Sequence, residues 1–500
     1  MDQPLLSKPL SSLVRLDWEK TLYVILTILA LVTRLWGLGD RVQSHDESLH
    51  TQYSWYLYRG RGFQHTPMMH GPFLFHAAAL SYFLFGDNDF TARLPVALIG
   101  VAVVAFPYLL RRWLGRAGAL VTSFFLLISP SIAYYSRYIR HDIPVILWAL
   151  IVVFAIFSYL RDGRERWLYL MAAGVSLMFA TKEVAFIYNA IFGLFLAGLF
   201  ALQALARPWR AEGLKPLFVI ASAVMALGLF LLGLGMLLRH GGVEGVRPVL
   251  AWWAIAGGML AALALLAATA FLLVGTWRDL RDYRAFDLAV VLGTLCFPFL
   301  SPVLIQVAGL DPIDYSVPAL YYSGAIAGAV LLLSGVVGLA WDMRRWAIIA
   351  AIHYTIFVVL FTTFFTNGTG IASGMVGSLG YWLAQQEVER GGQPWYYYLL
   401  VMVPLYEYLP LLLTIIAPIY LSIRRHIRNS QFAIRDSKFL PFLLWWTALA
   451  WIAYSYAGEK MPWLTVHLAL PMILLSGFLV GRLIEGTDWR RIVQHRAWLL

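Results

Sequence analysis

Asp46 and Glu47 stand directly after the first membrane-length apolar run of this chain, in a polar stretch that also holds Arg41, His45, His50 and Arg59. Carboxylates kept at a bilayer boundary are costly unless they have work there. A carboxylate so placed can take a proton from a hydroxyl or ligate a divalent cation; the bland alternative is a pair merely solvated at the start of a loop. Arg137, Arg140, Lys182 and Lys460 fall at the ends of other apolar runs. There they can grip a phosphate at headgroup level, Arg in bidentate fashion, or each can simply snorkel to the headgroups. Asp142, beside His141, can orient an Arg or share a divalent cation with Asp46.

Other chemistries lack support. His45, His50, His65, His70 and His141 cluster in the same polar stretches, but no HExxH or similarly tight spacing accompanies them, so a zinc hydrolase is a weak reading. Asp87-Asn88-Asp89 resembles a metal-holding acidic triplet, yet no soluble nucleotide-binding fold surrounds it. Neither a P-loop nor a dinucleotide fingerprint is present, and no nucleic-acid partner is expected. Asn367-Gly368-Thr369 matches a glycosylation acceptor, a three-residue pattern that recurs by chance.

The elements that must position these groups are membrane helices. With 60% hydrophobic and 13% charged residues and a mean hydropathy of +0.71, the chain is an all-α, polytopic integral membrane protein. Apolar runs near 19–38, 91–110, 117–135, 143–160, 167–181, 184–205, 215–238, 249–274, 286–307, 318–340, 346–365, 396–421, 439–457 and 462–482 give about fourteen spans. A further run, 70–86, is about 17 residues long and carries His70, Gly71, Pro72 and His76, so it sits at the lower bound for crossing. If it lies on the surface instead, most of the 38 Lys and Arg fall on the side of the N-terminal Lys8, Arg15 and Lys20, as the positive-inside rule requires. The run 70–86 is therefore expected as an interfacial helix, with the N-terminus cytoplasmic.

That topology sends Asp46, Glu47, Arg137, Arg140, His141, Asp142, Lys182, Glu183, Glu459 and Lys460 to the outer face. Independent snorkelling residues would scatter over both faces. The segment 366–395, Gly-rich and then polar through Gln385, Gln386, Glu387, Glu389 and Arg390, is expected as a mobile outer loop with a short helix in its second half. The lone Cys296 excludes an intramolecular disulfide. Ala497 to Leu500 ends the sequence where another apolar run could begin.

Six ordered motifs carry a resemblance: HDES at 45–48, HGPFLFHAAALSYFLFG at 70–86, ARLP at 92–95, SRYIRHDIP at 136–144, TKE at 181–183 and GEKMPWLTVHLALP at 458–471. In this order they resemble the integral-membrane glycosyltransferases of the GT-C superfamily, nearest the protein O-mannosyltransferases and lipid A aminoarabinose transferases. With WYYYL at 395–399 and PLYEYLP at 404–410, the whole chain looks similar to a prokaryotic flippase-activity-associated family of that superfamily.

The resemblance implies one GT-C-like transmembrane domain over 1–500. It has a catalytic-like module at 19–240, additional helices at 249–482 and interfacial helices in the first outer loop, 40–90. It implies a cell-membrane transferase, expected to be inverting, that takes a sugar from a polyprenyl-phosphate carrier to a protein, lipid or glycan acceptor on the outer face. By motif matching Asp46 is the catalytic base with Glu47 beside it, and Asp142 is the second acidic residue. Arg137, Arg140 and Lys460 lie near the lipid phosphate, with Arg93, His141, Lys182, Glu183 and His467 completing the substrate-binding set. A divalent cation on Asp46 and Asp142 is the cofactor to test. GEKMPW carries Trp463 where relatives often have Tyr, and His467 replaces a usually apolar position. A rival reading is a non-catalytic translocator of lipid-linked sugars, which would use the same basic face.

Overall fold

The computed structural model describes residues 17–209, 211–241, 247–276, 279–385, 393–427 and 438–488. Lys8, Arg15, the polar stretch from Gln386 to Arg390 and the terminal Ala497 to Leu500 lie outside the described residues. All regular structure among the described residues is helical. Among the described residues nine helices are long and apolar enough to cross a membrane, and a tenth candidate is the pair Tyr397–Tyr406 and Tyr408–Tyr420, bent by 112°.

The difference from fourteen has identifiable causes. Trp18–Leu35 forms a helix but carries Glu19, Lys20 and Arg34. Arg116–Ile128 and Arg166–Phe179 are helices of 13 and 14 residues, roughly 20 Å each at 1.5 Å per residue. The runs 318–340 and 346–365 are two helices that meet at a kink, the non-helical Asp342, within the single stretch Val317–Phe361. Phe73–Phe85, within the run expected to lie on the surface, is a 13-residue helix and is also short for a span.

The chain divides into two compact units, 1–192 with 291–500, and Gly193–Val290. In the second, Leu214–Gly241 and Arg247–Thr276 pack along each other. Gly228 and Gly257 meet there with backbone atoms under 3 Å from where a Cβ would sit, the close approach that small residues permit between membrane helices. In the first unit the Asp142–Asp162 and Thr465–Gly486 helices are the interior elements, buried along most of their length.

Short helices and turns around them hold the polar motifs. Ser44 caps His45–Tyr58 through a reciprocal box with Glu47. Asn88 and Thr91 do the same for Asp89–Ala105. Pro130 opens the six-residue helix Pro130–Tyr135, whose end leads into Arg137, Arg140 and His141. Gly71 donates its N–H to Thr181 O at 3.1 Å, and Phe73 donates to Ala180 O at 2.8 Å. A Cβ at position 71 would run into the Ala180 carbonyl, so only glycine lets the HGP and TKE motifs touch.

The expectation of a loose Gly-rich loop after residue 366 needs correction. Gly370–Ala372, a π-helical turn at Ser373–Gly377 and Ser378–Gln385 run on as helix, with Ser373 to Ser378 buried. Gly370 and Gly374 press against the backbone and ring of Phe361, so these glycines serve packing.

Candidate active site

Asp46 lies in the first turn of its helix, where the helix dipole favours an anion. Its carboxylate is about a third exposed and is ion-paired with Arg140 Nη1. The same guanidinium, nearly buried, approaches Asp142 Oδ2 through Nε at 3.5 Å and lies 3.5 Å from the ring centroid of Trp463. Asp142 is fully buried. Its Oδ1 accepts from Lys182 Nζ at 2.6 Å and from His467 Nε2 at 3.1 Å. Four polar stretches spread over more than 400 residues thus meet in one network, Asp46–Arg140–Asp142–Lys182–His467.

The protonation pattern follows from donor and acceptor chemistry. A carboxylate oxygen paired with Lys182 accepts, so His467 carries its proton on Nε2, and its Nδ1 takes the hydroxyl proton of Tyr188 at 2.9 Å. His467 is fully buried and its ring stacks on Tyr454, 6° from parallel. Burial pulls the Lys182 ammonium below the ordinary lysine value, with Asp142 acting in the opposite direction.

Glu47 and Arg93 occupy a second cluster. Glu47 is fully buried and accepts from Arg93 Nε at 2.9 Å and Nη2 at 3.2 Å, from Arg41 Nη2 at 2.9 Å, and from the Ser44 and Ile139 N–H groups. Arg93 also donates to the Leu38 and Arg41 carbonyls. Both residues were expected to act on substrate, yet both have zero exposure and spend their hydrogen-bonding capacity on the chain. They tie the loop after the first helix to the SRYIR segment. Arg137 likewise caps the end of the first helix, donating to Thr33 O at 2.8 Å and Gly37 O at 3.1 Å.

His141 is buried, with Nε2 on Gly71 O at 3.1 Å; burial holds its imidazole well below the usual histidine range. His50 packs against it at 4.9 Å between ring centroids and donates Nδ1–H to the Asp46 carbonyl at 2.6 Å. Burial pushes His50 down to about 3. Lys460 is nearly buried and donates to Ala457 O at 2.8 Å.

Glu183 pairs with His70 Nδ1 at 2.6 Å. His70 has φ 65° and ψ −168°, a region occupied essentially by glycine, and its ring stacks on Trp382. Beside the ion network lies a cavity of about 170 Å³. Lys182, His70, Glu183, Glu459, Trp382, Trp463 and Tyr454 line it, together with apolar side chains such as Ile187, Leu383 and Leu464.

A divalent cation shared by Asp46 and Asp142 would have to displace Arg140, which engages both carboxylates. Among the described residues, no three His, Cys, Asp or Glu side chains are gathered as a cation would need.

Residues 69–233 match the family of dolichyl-phosphate-mannose-protein mannosyltransferases. The chain resembles GT-C membrane glycosyltransferases. That match takes in the HGP, ARLP, SRYIRHDIP and TKE motifs. Among solved structures, the chain is similar to the archaeal oligosaccharyltransferase AglB from Archaeoglobus fulgidus, in complex with an inhibitory peptide and a dolichol-phosphate. There the identity is 13%, the TM-score is 0.48, and 96% of this chain and 52% of that one are covered. The chain therefore spans about half the length of that protein. It is also similar to ArnT from Cupriavidus metallidurans bound to undecaprenyl phosphate, with 18% identity, a TM-score of 0.31, and 93% and 79% coverage. No curated protein sequence matches.

Sequence reasoning passed over several residues of this site. Tyr188 sits inside an apolar run and gives no signal until His467 is seen beside it. Glu407, at the 112° bend, accepts from Ser129 Oγ at 2.6 Å and Ser131 N–H at 3.1 Å, bracing the helix that leads into Arg137. His70 and Trp382 are brought into the cavity by tertiary packing alone, although Trp463 had stood out as a departure within its motif.

Proposed function

We propose that this protein transfers a sugar from a polyprenyl-phosphate carrier to an acceptor hydroxyl on the outer face of the cell membrane. The observation that carries the reading is the Asp46–Arg140–Asp142 arrangement beside a cavity with both cationic and apolar walls. An amphipathic donor fits such walls: isoprenoid against Ile187, Leu383 and Leu464, and phosphate towards Lys182 and Arg140. Residues 69–233 supply supporting family resemblance.

In this reading Asp46, the more accessible carboxylate, accepts the proton of the attacking hydroxyl. The hydroxyl oxygen attacks the anomeric carbon, the bond from that carbon to the phosphate oxygen breaks, and the configuration inverts. Arg140 and Lys182 stabilise the charge gathering on the departing phosphate. Asp142 and His467 hold those cations in place, and Glu47 with Arg93 positions the loop carrying Asp46. Arg137 and His141 act as positioning residues, while Lys460 supports the phosphate side. Glu183 acts through His70.

The test is mass spectrometry of products from purified protein supplied with a panel of polyprenyl-phosphate sugars and candidate acceptors. Transfer by wild type and its loss in Asp46→Asn supports the reading. Movement of the lipid across a bilayer without any transferred product, unchanged in Asp46→Asn, would sink it in favour of a translocator.

A further inference from the structure

The cavity beside the ion network contains one carboxylate that forms no ion pair or hydrogen bond among the described residues, although its charge favours the nearby Lys182 ammonium. Lys182 is matched by Asp142 at 2.6 Å, and Glu183 by His70 at 2.6 Å. Glu459 also lines the cavity and is half-buried, but it makes no ion pair or hydrogen bond among the described residues. Much of the surrounding wall is apolar, including Phe186, Ile187 and Leu383. A carboxylate in such a setting loses hydration and regains it only from hydrogen-bond donors.

The three parts of a polyprenyl-phosphate sugar differ in what they can offer. The isoprenoid has no donor. The phosphate is an anion that Glu459 repels. The sugar alone brings donors, as hydroxyls or an ammonium, and Trp382, Trp463 and Tyr454 in the same wall provide flat apolar faces against its C–H surfaces. One face of each ring is already covered, by His70, Arg140 and His467 respectively, which fixes the rings in place.

We infer that Glu459 marks the sugar subsite and sets its charge preference: sugars presenting hydroxyls or an ammonium are accepted, and those bearing a carboxylate are rejected. This rests on the polyprenyl-phosphate reading above. It adds a residue and a class of sugar to it.

The experiment measures binding to the purified full chain and to Glu459→Gln. The probes are polyprenyl phosphate without sugar and the same carrier bearing a neutral hexose, an amino hexose or a hexuronic acid. Wild type is expected to prefer the neutral and amino donors over the uronate by about 10-fold or more, and Glu459→Gln to shrink that ratio by about 10-fold, with the amino donor losing most. Equal binding of the sugar-free carrier to both proteins shows that the variant is folded and the phosphate site intact. An unchanged ratio with carrier binding intact overturns the inference and leaves the parent reading standing. Failure of wild type to bind any carrier removes both.

Discussion

Arg140 Nε and Asp142 Oδ2 lie 3.5 Å apart, both buried and neither hydrogen-bonded, while the other end of the same guanidinium holds Asp46. Arg140 is thus shared unequally between two carboxylates, with an unfilled contact on the Asp142 side. In the proposed reaction a donor phosphate arriving beside Lys182 would compete with Asp46 for that guanidinium. Closing the contact to Asp142 would leave Asp46 free to accept a proton, and donor binding and base release would then be coupled through one side chain.

Arg140→Ala and Lys460→Ala are therefore expected to weaken the donor. Losing a charge-assisted hydrogen bond costs about 1.5 to 3 kcal/mol, or about 10- to 150-fold in affinity. Titrating a sugar-free carrier phosphate reads this directly. Unchanged affinity in both variants leaves these residues with only their internal bonds to Asp46, Asp142 and Ala457.

Glu47 makes a different prediction, because its five donors sit on a carboxylate with no exposure. Glu47→Gln strands Arg93 in the interior, and breaking a buried ion pair costs about 3–5 kcal/mol. The signature is a lower thermal midpoint and poorer yield, with turnover per folded molecule falling less than in Asp46→Asn. A stable but inactive Glu47→Gln would return Glu47 to a direct role in the chemistry.

These two residues also show how far the sequence could be read. The pairing of an acidic doublet with distant basic groups was legible, because the positive-inside pattern sends them to one side. Which member of the doublet joins Arg140 was not: adjacent residues on a helix point about 100° apart, and only the packing of Asp89–Ala105 decides that Glu47 is the buried one. Arg93, Arg137 and Arg140 look alike in sequence, yet the first two are committed to carbonyl groups and Glu47, and only Arg140 reaches the network. The helix content followed from composition. The expected number of spans was too high where apolar runs form helices that are short or charged, as at Trp18–Leu35, Arg116–Ile128 and Arg166–Phe179.

Acid should destabilise the site. His50 is held near 3 and His141 well below the usual range by burial, with Arg140 and Lys182 also opposing protonation of His50. In the unfolded chain both titrate near 6.5, so below that pH the unfolded state binds more protons and stability falls as pH drops from about 6.5 towards 3. The slope is at most about 1.4 kcal/mol per pH unit for each histidine. Thermal midpoints in detergent from neutral to acidic pH measure it, and His50→Gln should flatten the curve. A midpoint independent of pH in wild type contradicts the buried neutral assignment.

The orientation expected from the charge count is checked by cysteine labelling in intact cells after replacing Cys296. Cysteine placed at Gly458 should react with an impermeant reagent, and cysteine placed at Gly163 should not. The reverse pattern would put the whole site on the cytoplasmic face.

The Tyr188–His467–Asp142 chain gives the prediction that separates orientation from contact. Tyr188 and His467 are buried and, unlike Tyr454 and Lys182, do not line the cavity; their expected role is to fix which oxygen of Asp142 faces Lys182 and which faces Arg140. Tyr188→Phe keeps the ring in place and removes one neutral hydrogen bond, worth about 1 kcal/mol, or about 5-fold. His467→Leu removes the donor to Asp142 and should cost more. If the chain positions Asp142, both variants lower kcat while the affinity for sugar-free carrier changes little, and the loss in Tyr188→Phe largely disappears once His467 is already Leu. Independent, additive losses in the double variant would show that Tyr188 acts elsewhere, and a large fall in carrier affinity would show that Asp142 meets the phosphate side directly.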